Sequence, residues 1–195
     1  MATRLITRPV NPARSDDAAL DAASAGKPPL LILGIDPGLE RTGYAVLERT
    51  DTVRDAGLIR SNPRALLASR LGEIAASLDE VIDEWRPQLV AVEELFAHYK
   101  HPRTAILMGH VRGVVLLAAA RRGIGVLGLP STHIKKALTG NGHAGKTQVQ
   151  RAIQATLNLK RLPQQADVAD ALAIAWCAAV TSLRRDDGSA GRSQR

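Results

Sequence analysis

The order of short apolar runs along the chain constrains its fold more than any other feature. Two runs have the length of buried strands and end in acids: LLILGI is followed by Asp36, and QLVAVEE predicts a strand over Leu89–Glu93. TGYAVLE and VRDAGLIR lie between them and are joined by Thr50-Asp51-Thr52, a link short enough to predict an antiparallel pair. GIGVLGLP predicts a fifth strand over Ile124–Leu129.

Segments with helical spacing separate these runs. Asn62-Pro63 offers a helix cap and a first-turn proline before one such segment, and Pro87 ends it. Further helices are predicted at about Arg103–Arg122, at STHIKKAL with Ser131 as its cap, at KTQVQRAIQATL, and at about Ala166–Leu183. Three antiparallel strands followed by strand, helix, strand and helices predict an α/β fold, with a mixed five-stranded sheet and helices on both faces.

Composition sets the expected limits of the folded part. Residues 1–28 and 186–195 lack apolar periodicity, so we predict disordered tails on either side of a single domain at 29–185. The single cysteine, Cys177, is typical of a reducing compartment. Neither a signal-peptide core nor an apolar run of membrane-spanning length is apparent, so we expect a soluble, cytoplasmic protein.

The net charge of +7 is distributed unevenly. Residues 30–94 contain twelve acids and seven bases, whereas residues 95–166 contain eleven bases and no acid. Such a one-sided segment repels itself unless an anion lies against it, and a nucleic-acid backbone is the commonest anion of this kind. Composition alone leaves two interpretations open, a nucleic-acid contact and a solvated basic surface.

The stretch GNGHAGKT, Gly140 to Thr147, matches the phosphate-binding pattern G-x-x-x-x-G-K-[ST]. A working P-loop needs a strand that runs straight into its first glycine, whereas the element predicted before Gly140 is a helix. We therefore interpret the stretch as a flexible link between two basic helices, in which Lys146 and the first amides of the second helix can contact phosphate. A P-loop ATPase is the disfavoured alternative.

Four carboxylates predict a metal centre. Asp36 and Glu93 close two strands, and ligands gather at such ends in open α/β sheets. Asp167 and Asp170 are three residues apart at the start of the last helix, so they project to one side. Acids brought together repel unless divalent cations neutralise them, and oxygen ligands select Mg²⁺ or Mn²⁺. Two such ions about 4 Å apart would activate water and stabilise the leaving oxygen in phosphodiester hydrolysis.

Two of the four acids also have a simpler interpretation when taken singly. Asp36 before Pro37-Gly38 fits an Asx turn, and Asp167 fits compensation of a helix dipole. Asp170 lies within an apolar helical face, and Glu93 lies on an apolar side of its strand, where a lone charge is costly. The metal interpretation is the one that explains the acids and the basic segment together.

Three motifs, LGIDPGLERTGYAV, VAVEELF and QADVADALAIA, resemble those of the RuvC Holliday-junction resolvases, in the same order and over about Leu30–Leu183. HVRGVVLLAA and GKTQVQ match as well. The resemblance implies an RNase-H-like fold, a homodimer, and symmetric cleavage of four-way junction DNA in recombination and repair. It also implies dependence on a divalent metal and, by analogy, a branch-migration helicase as partner.

The resemblance further implies roles for individual residues. The family's catalytic and metal-ligating carboxylates correspond to Asp36, Glu93, Asp167 and Asp170, although some members carry His at the position of Asp167. Phe96 corresponds to an aromatic residue associated with junction DNA, and Lys135 and Lys146 correspond to functional lysines. Together with Arg103 and Lys136 of the basic segment, these three form the predicted DNA-binding set: Phe96, Arg103, Lys135, Lys136 and Lys146.

One further element concerns assembly. The run Ile106–Ala120 has too few polar positions for a surface helix, which predicts that it lies partly in a dimer interface. A non-catalytic junction-binding protein is the second alternative to the nuclease, and the two differ in whether the junction is cut.

Overall fold

A five-stranded mixed sheet forms the centre of the chain in a computed structural model, which describes residues 30–95 and 102–190. Its strands are β1 (Leu31–Asp36), β2 (Arg41–Glu48), β3 (Thr52–Arg60), β4 (Leu89–Glu93) and β5 (Gly125–Leu129). They lie in the order β3-β2-β1-β4-β5. The first three are antiparallel neighbours, whereas β4 and β5 run parallel to β1. The predicted mixed five-stranded sheet is confirmed.

Helices cover both faces of the sheet. They are α1 (Leu67–Trp85), α2 (Pro102–Ala120), α3 (Ser131–Thr139), α4 (Lys146–Thr156) and α5 (Ala166–Ala190). Side chains alternate along each strand, so β1 sends Leu33 and Ile35 into a core with α1 and α2, and Ile32 into a core with α3, α4 and α5. The two apolar layers explain why the strands read as continuous apolar runs rather than as alternating ones.

Two glycines let the backbone of α5 lie directly against the sheet. A Cβ atom at Gly34 of β1 would be 2.4 Å from the carbonyl oxygen of Ala171, and one at Gly43 of β2 would be 2.0 Å from that of Asp167. No other residue type fits at such distances. The start of α5 is therefore seated on the carboxyl end of β1 and the adjoining start of β2.

The two predicted helix caps are wrong. Leu66, rather than Asn62, is the N-cap residue of α1. The Asn62 side chain instead accepts a 3.0 Å hydrogen bond from the Arg64 amide, and this local turn takes the place of a helical cap. Ser131 is the first residue of α3, after Pro130 as N-cap, so its hydroxyl is left for another partner.

The final helix is longer than predicted. It begins at Ala166 but runs to Ala190 rather than Leu183, so the backbone is helical in the first part of the segment predicted as a C-terminal tail. The rest of that segment, 191–195, and the predicted N-terminal tail at 1–28 lie outside the described residues.

The Gly-rich stretch at 140–147 links α3 to α4. Gly140 has a φ of 76° and ends α3, with its amide donating to the Lys136 carbonyl. The nearest strand, β5, ends at Leu129, so a helix enters the stretch where a P-loop needs a strand. The P-loop alternative is thereby excluded by the local fold.

Two segments, 103–120 and 166–183, are long and apolar enough to cross a membrane by length and composition, contrary to the sequence-based expectation. Half of the 166–183 segment is buried, because α5 forms the middle of one core. α2 contributes Val111, Val115 and Ala119 to the other core and leaves much of its remaining surface uncovered. The apolar composition of α5 therefore reflects its packing on the sheet, and that of α2 reflects an apolar face that is left open.

Candidate active site

The carboxyl ends of β1 and β4 place the first two acids side by side. These strands are parallel neighbours in which Ile35 pairs with Val92, so Asp36 and Glu93 follow at the same edge of the sheet. Ile32 of β1 and Ala91 of β4 both belong to the core under α5, and alternation puts Asp36 and Glu93 on that same face. Both strand-closing acids thus face the helix that carries the other two.

α5 completes the cluster from above the sheet. Asp36 pairs with Gly43 across the β1–β2 ladder, and Gly43 is the position against which the Asp167 backbone rests. This contact brings the first turn of α5 over Asp36. Asp170 follows one turn later on the same side of the helix.

The charges of the other three acids act on Asp36. Burial, together with the charges of Asp170, Glu93 and Asp167, raises the pKa of Asp36 to about 8, against an opposing effect of Lys146. Such a carboxyl holds its proton at neutral pH unless a cation replaces it. Asp36 is thus the most strongly perturbed of the acids and interacts with all three others.

Two of the other acids are shifted in the same direction. Burial, together with the charges of Glu93 and Asp167, raises the pKa of Asp170 to about 6, against the opposing effects of Lys146 and Lys135. Burial also raises the pKa of Glu93, while a hydrogen bond from the Ser131 hydroxyl and the charge of Lys135 lower it. Several carboxylates here are held close together with too little positive charge to offset them.

Two of the predicted DNA-binding lysines lie at this cluster. Lys146 begins α4 and acts on Asp36 and Asp170, and Lys135 of α3 acts on Glu93 and Asp170. A small cavity between α3 and α5 is lined by Glu93, Ser131, Lys135 and Asp170 among others. The basic segment therefore supplies cations to the rim of the acidic site.

The other predicted DNA-binding residues are placed differently. Lys136 is exposed on α3, and Arg103 is exposed at the start of α2. Phe96 lies outside the described residues. Their predicted roles stay predictions.

Sequence reasoning missed two polar partners of the acids. Arg41, the first residue of β2, forms a 2.8 Å ion pair with Asp167. The hydroxyl of Ser131 bonds to Glu93, although the sequence assigned Ser131 to a helix cap. Both contacts join residues far apart in the chain, and the sequence carried no local signal for either.

The donor set suits a hard divalent cation. Within the described ranges, 30–95 and 102–190, no three Asp, Glu, His or Cys side chains are already drawn together as a complete metal site. The four acids nevertheless offer carboxylate oxygens, the ligands that Mg²⁺ and Mn²⁺ prefer. The raised pKa values of Asp36, Glu93 and Asp170 mark negative charge that a bound cation would relieve. The four acids therefore fit the binding of Mg²⁺ or Mn²⁺ that the sequence predicts.

A mixed sheet of this order, with acids at the ends of two central strands and on the last helix, defines a nuclease of the RNase-H-like fold. The family model for crossover junction endodeoxyribonuclease RuvC matches residues 32–178. The chain belongs to the RuvC family, as its motifs predicted.

Individual RuvC proteins are similar to this chain in sequence and in structure. The chain is 52% identical over 149 residues to the RuvC of Rhodopirellula baltica, covering 75% of this chain and 84% of that relative. It is 42% identical over 160 residues to the RuvC of Pseudothermotoga lettingae, covering 80% and 98% of the two chains. A solved structure, Thermus thermophilus RuvC in complex with a Holliday junction substrate, is similar with a TM-score of 0.74 and 33% identity, over 80% of this chain and 96% of that one.

Proposed function

We propose that this chain resolves four-way DNA junctions by divalent-metal-dependent hydrolysis of the phosphodiester backbone. The observation that carries the proposal is the convergence of Asp36, Glu93, Asp167 and Asp170 from β1, β4 and α5 on one electrostatically coupled site. Family membership supports the choice of substrate, because a similar RuvC structure contains a Holliday junction. Junctions are cut symmetrically in this proposal, in recombination and repair.

The four acids are proposed as the ligands of two Mg²⁺ or Mn²⁺ ions. Such ions supply Lewis acidity, which activates water and stabilises the leaving oxygen of a phosphodiester. The chain itself contributes the placement: β1 and β4 fix two carboxylates at the sheet edge, and the seating of α5 fixes the other two. Asp36 would be held in its ionised form by bound cations, because burial and the charges of the neighbouring acids raise its pKa in their absence.

The basic residues around the site are proposed to hold DNA. Lys135 and Lys146 lie next to the acids, where they can meet the charge of the phosphate that is cut. Lys146 also begins α4, and the amides of that first helical turn would donate hydrogen bonds to a phosphate bound there. Lys136, Arg103 and Phe96 are proposed contacts to the rest of the junction.

A homodimer is proposed on the evidence of α2. Ile106, His110, Gly113 and Leu117 recur at helical intervals and are exposed, and Ile106 and Leu117 are 61% and 51% exposed. An apolar stripe of this kind is typical of a protein interface. A two-fold dimer would present two active sites to a two-fold junction, which suits paired cuts. We further propose a soluble, cytoplasmic location and, by family analogy, a branch-migration helicase partner.

The decisive experiment incubates a synthetic four-way junction with the protein and Mg²⁺ or Mn²⁺. The wild type should make paired, symmetric nicks, and Glu93→Gln should bind the junction without cutting it. Glu94→Gln is the matched control, because Glu94 lies beside Gly128 of β5 on the other side of β4. This variant should cut like the wild type.

The same assay separates the nuclease from a non-catalytic junction binder. A wild-type protein that binds the junction and leaves it intact with both metals would support the binder. Equal cutting by the wild type and Glu93→Gln would refute the proposed site.

A further inference from the structure

Arg41 is the one cation in the described part of the chain that forms an ion pair with a site carboxylate. Its Nη2 atom lies 2.8 Å from Oδ2 of Asp167. The same nitrogen donates a hydrogen bond to Oε1 of Gln165, just before α5 begins. Arg41, the first residue of β2, therefore contacts both the residue before α5 and the second residue of α5.

The position of Arg41 is unfavourable without this partner. β2 and β3 place Arg41 directly opposite Arg60, and like charges opposite one another on a sheet repel. In addition, Nε of Arg41 is buried and has no hydrogen-bond partner among the described residues. Among the described residues the guanidinium is held at Nη2, and the ion pair with Asp167 offsets the cost of its position.

The contact engages one carboxylate oxygen of Asp167 and leaves the other for a cation. The ion pair restrains the position of Oδ2, because the bond to Gln165 holds the same guanidinium nitrogen from a second direction. Asp167 also sits where Gly43 anchors the α5 backbone. The backbone and the side chain of Asp167 are therefore both held by residues of β2, the backbone at Gly43 and the side chain at Arg41.

We propose that Arg41 is a positioning residue for the metal site, which orients Asp167 so that Oδ1 faces the acid cluster. This inference rests on the proposed function, since it assigns Arg41 a role toward the ions of that site. A residue of this kind acts through its neighbour and touches neither ion nor DNA. Outer partners of metal ligands typically contribute about 10- to 100-fold in metal affinity or activity.

Two other roles for Arg41 make opposite predictions. If Arg41 only reduced the negative charge of the cluster, its removal would strengthen cation binding, because one competing positive charge would be gone. If Arg41 contacted a DNA phosphate, its removal would weaken junction binding and lower the salt dependence by about one counterion. The positioning role predicts weaker cation binding with junction binding unchanged.

The test measures Mn²⁺ binding to the DNA-free protein by calorimetry, for the wild type, Arg41→Gln, Arg41→Lys and Arg60→Gln. Arg41→Gln should bind Mn²⁺ about 10-fold or more weakly. Arg41→Lys should recover part of the loss, since it keeps the charge but lacks the planar fork. Arg60→Gln removes the opposite arginine and should bind Mn²⁺ like the wild type.

A second measurement follows junction binding in EDTA at several salt concentrations, and thermal unfolding confirms that each variant is folded. Arg41→Gln should keep the wild-type dissociation constant and salt slope. Mn²⁺ binding in Arg41→Gln that is unchanged or tighter would overturn the inference, as would a loss of junction affinity with a reduced salt slope. A wild type that neither binds Mn²⁺ nor cuts the junction would instead overturn the proposed function.

Discussion

Replacing Asp36 with Asn should stabilise the metal-free protein at pH 8. In the unfolded chain the Asp36 carboxyl releases its proton near its ordinary pKa of 3.8, whereas in the folded protein burial and neighbouring acids keep it protonated up to about pH 8. Between these values the folded state binds more protons, so stability falls as pH rises and is lowest above pH 8. Asn carries no charge and escapes this loss.

The magnitude follows from the size of the shift. A change of about four pKa units, at about 1.4 kcal/mol each, sets an upper limit of roughly 6 kcal/mol. Asp36 is partly exposed, so solvent screening reduces the expected gain to about 2–3 kcal/mol. For a domain of this size that gain corresponds to a rise in melting temperature of about 4–12 °C.

The assay is thermal unfolding in EDTA, from pH 4 to pH 8.5. Asp36→Asn should match the wild type near pH 4, exceed it increasingly as pH rises, and lose its advantage when Mn²⁺ is added, because Mn²⁺ stabilises the wild type. Glu80→Gln, an exposed change on α1, serves as the control and should stay near the wild type throughout. An Asp36→Asn variant no more stable than the wild type at pH 8 would show that burial and the neighbouring acids do not raise the pKa of Asp36 as inferred.

Two further predictions concern the seating of α5 and the surface of α2. Gly43→Ala should lower the free energy of unfolding by about 1–3 kcal/mol or more and slow junction cleavage, because the new Cβ would meet the Asp167 carbonyl. Chemical denaturation measures the first effect and a cleavage time course measures the second. Wild-type values in both assays would contradict the close approach of α5 to Gly43. Leu117→Glu should shift the protein from dimer to monomer in analytical ultracentrifugation, because a charge in an apolar interface is costly, whereas an unchanged dimer would place the interface elsewhere.

Local signals explain why much of the site could be predicted from the sequence. β4 was predicted with the bounds that the structure shows, and an acid that ends a strand projects at the sheet edge whatever the rest of the fold. Asp170 was recognised because it interrupts an apolar helical face. The core under α5 and the mixed sheet follow from the same apolar pattern.

Contacts between distant elements explain what the sequence did not reveal. The Arg41–Asp167 pair depends on how α5 is seated on β2, and the Ser131–Glu93 bond depends on the direction in which α3 leaves β5. Asn62 failed as a cap because its side chain can bond to its own turn as readily as to a helix. Propensities describe a residue in isolation, whereas these three contacts depend on which groups the folded chain places beside each side chain.

The seating of α5 on Gly34 and Gly43 has a consequence for synthesis of the protein. Domains form from the N-terminus as the chain leaves the ribosome, and α5 emerges after every strand of the sheet. Until it docks, a nascent chain holds only Asp36 and Glu93 and lacks the other half of the acidic cluster. The proposed metal site can therefore form only after the segment that folds as α5 has been translated.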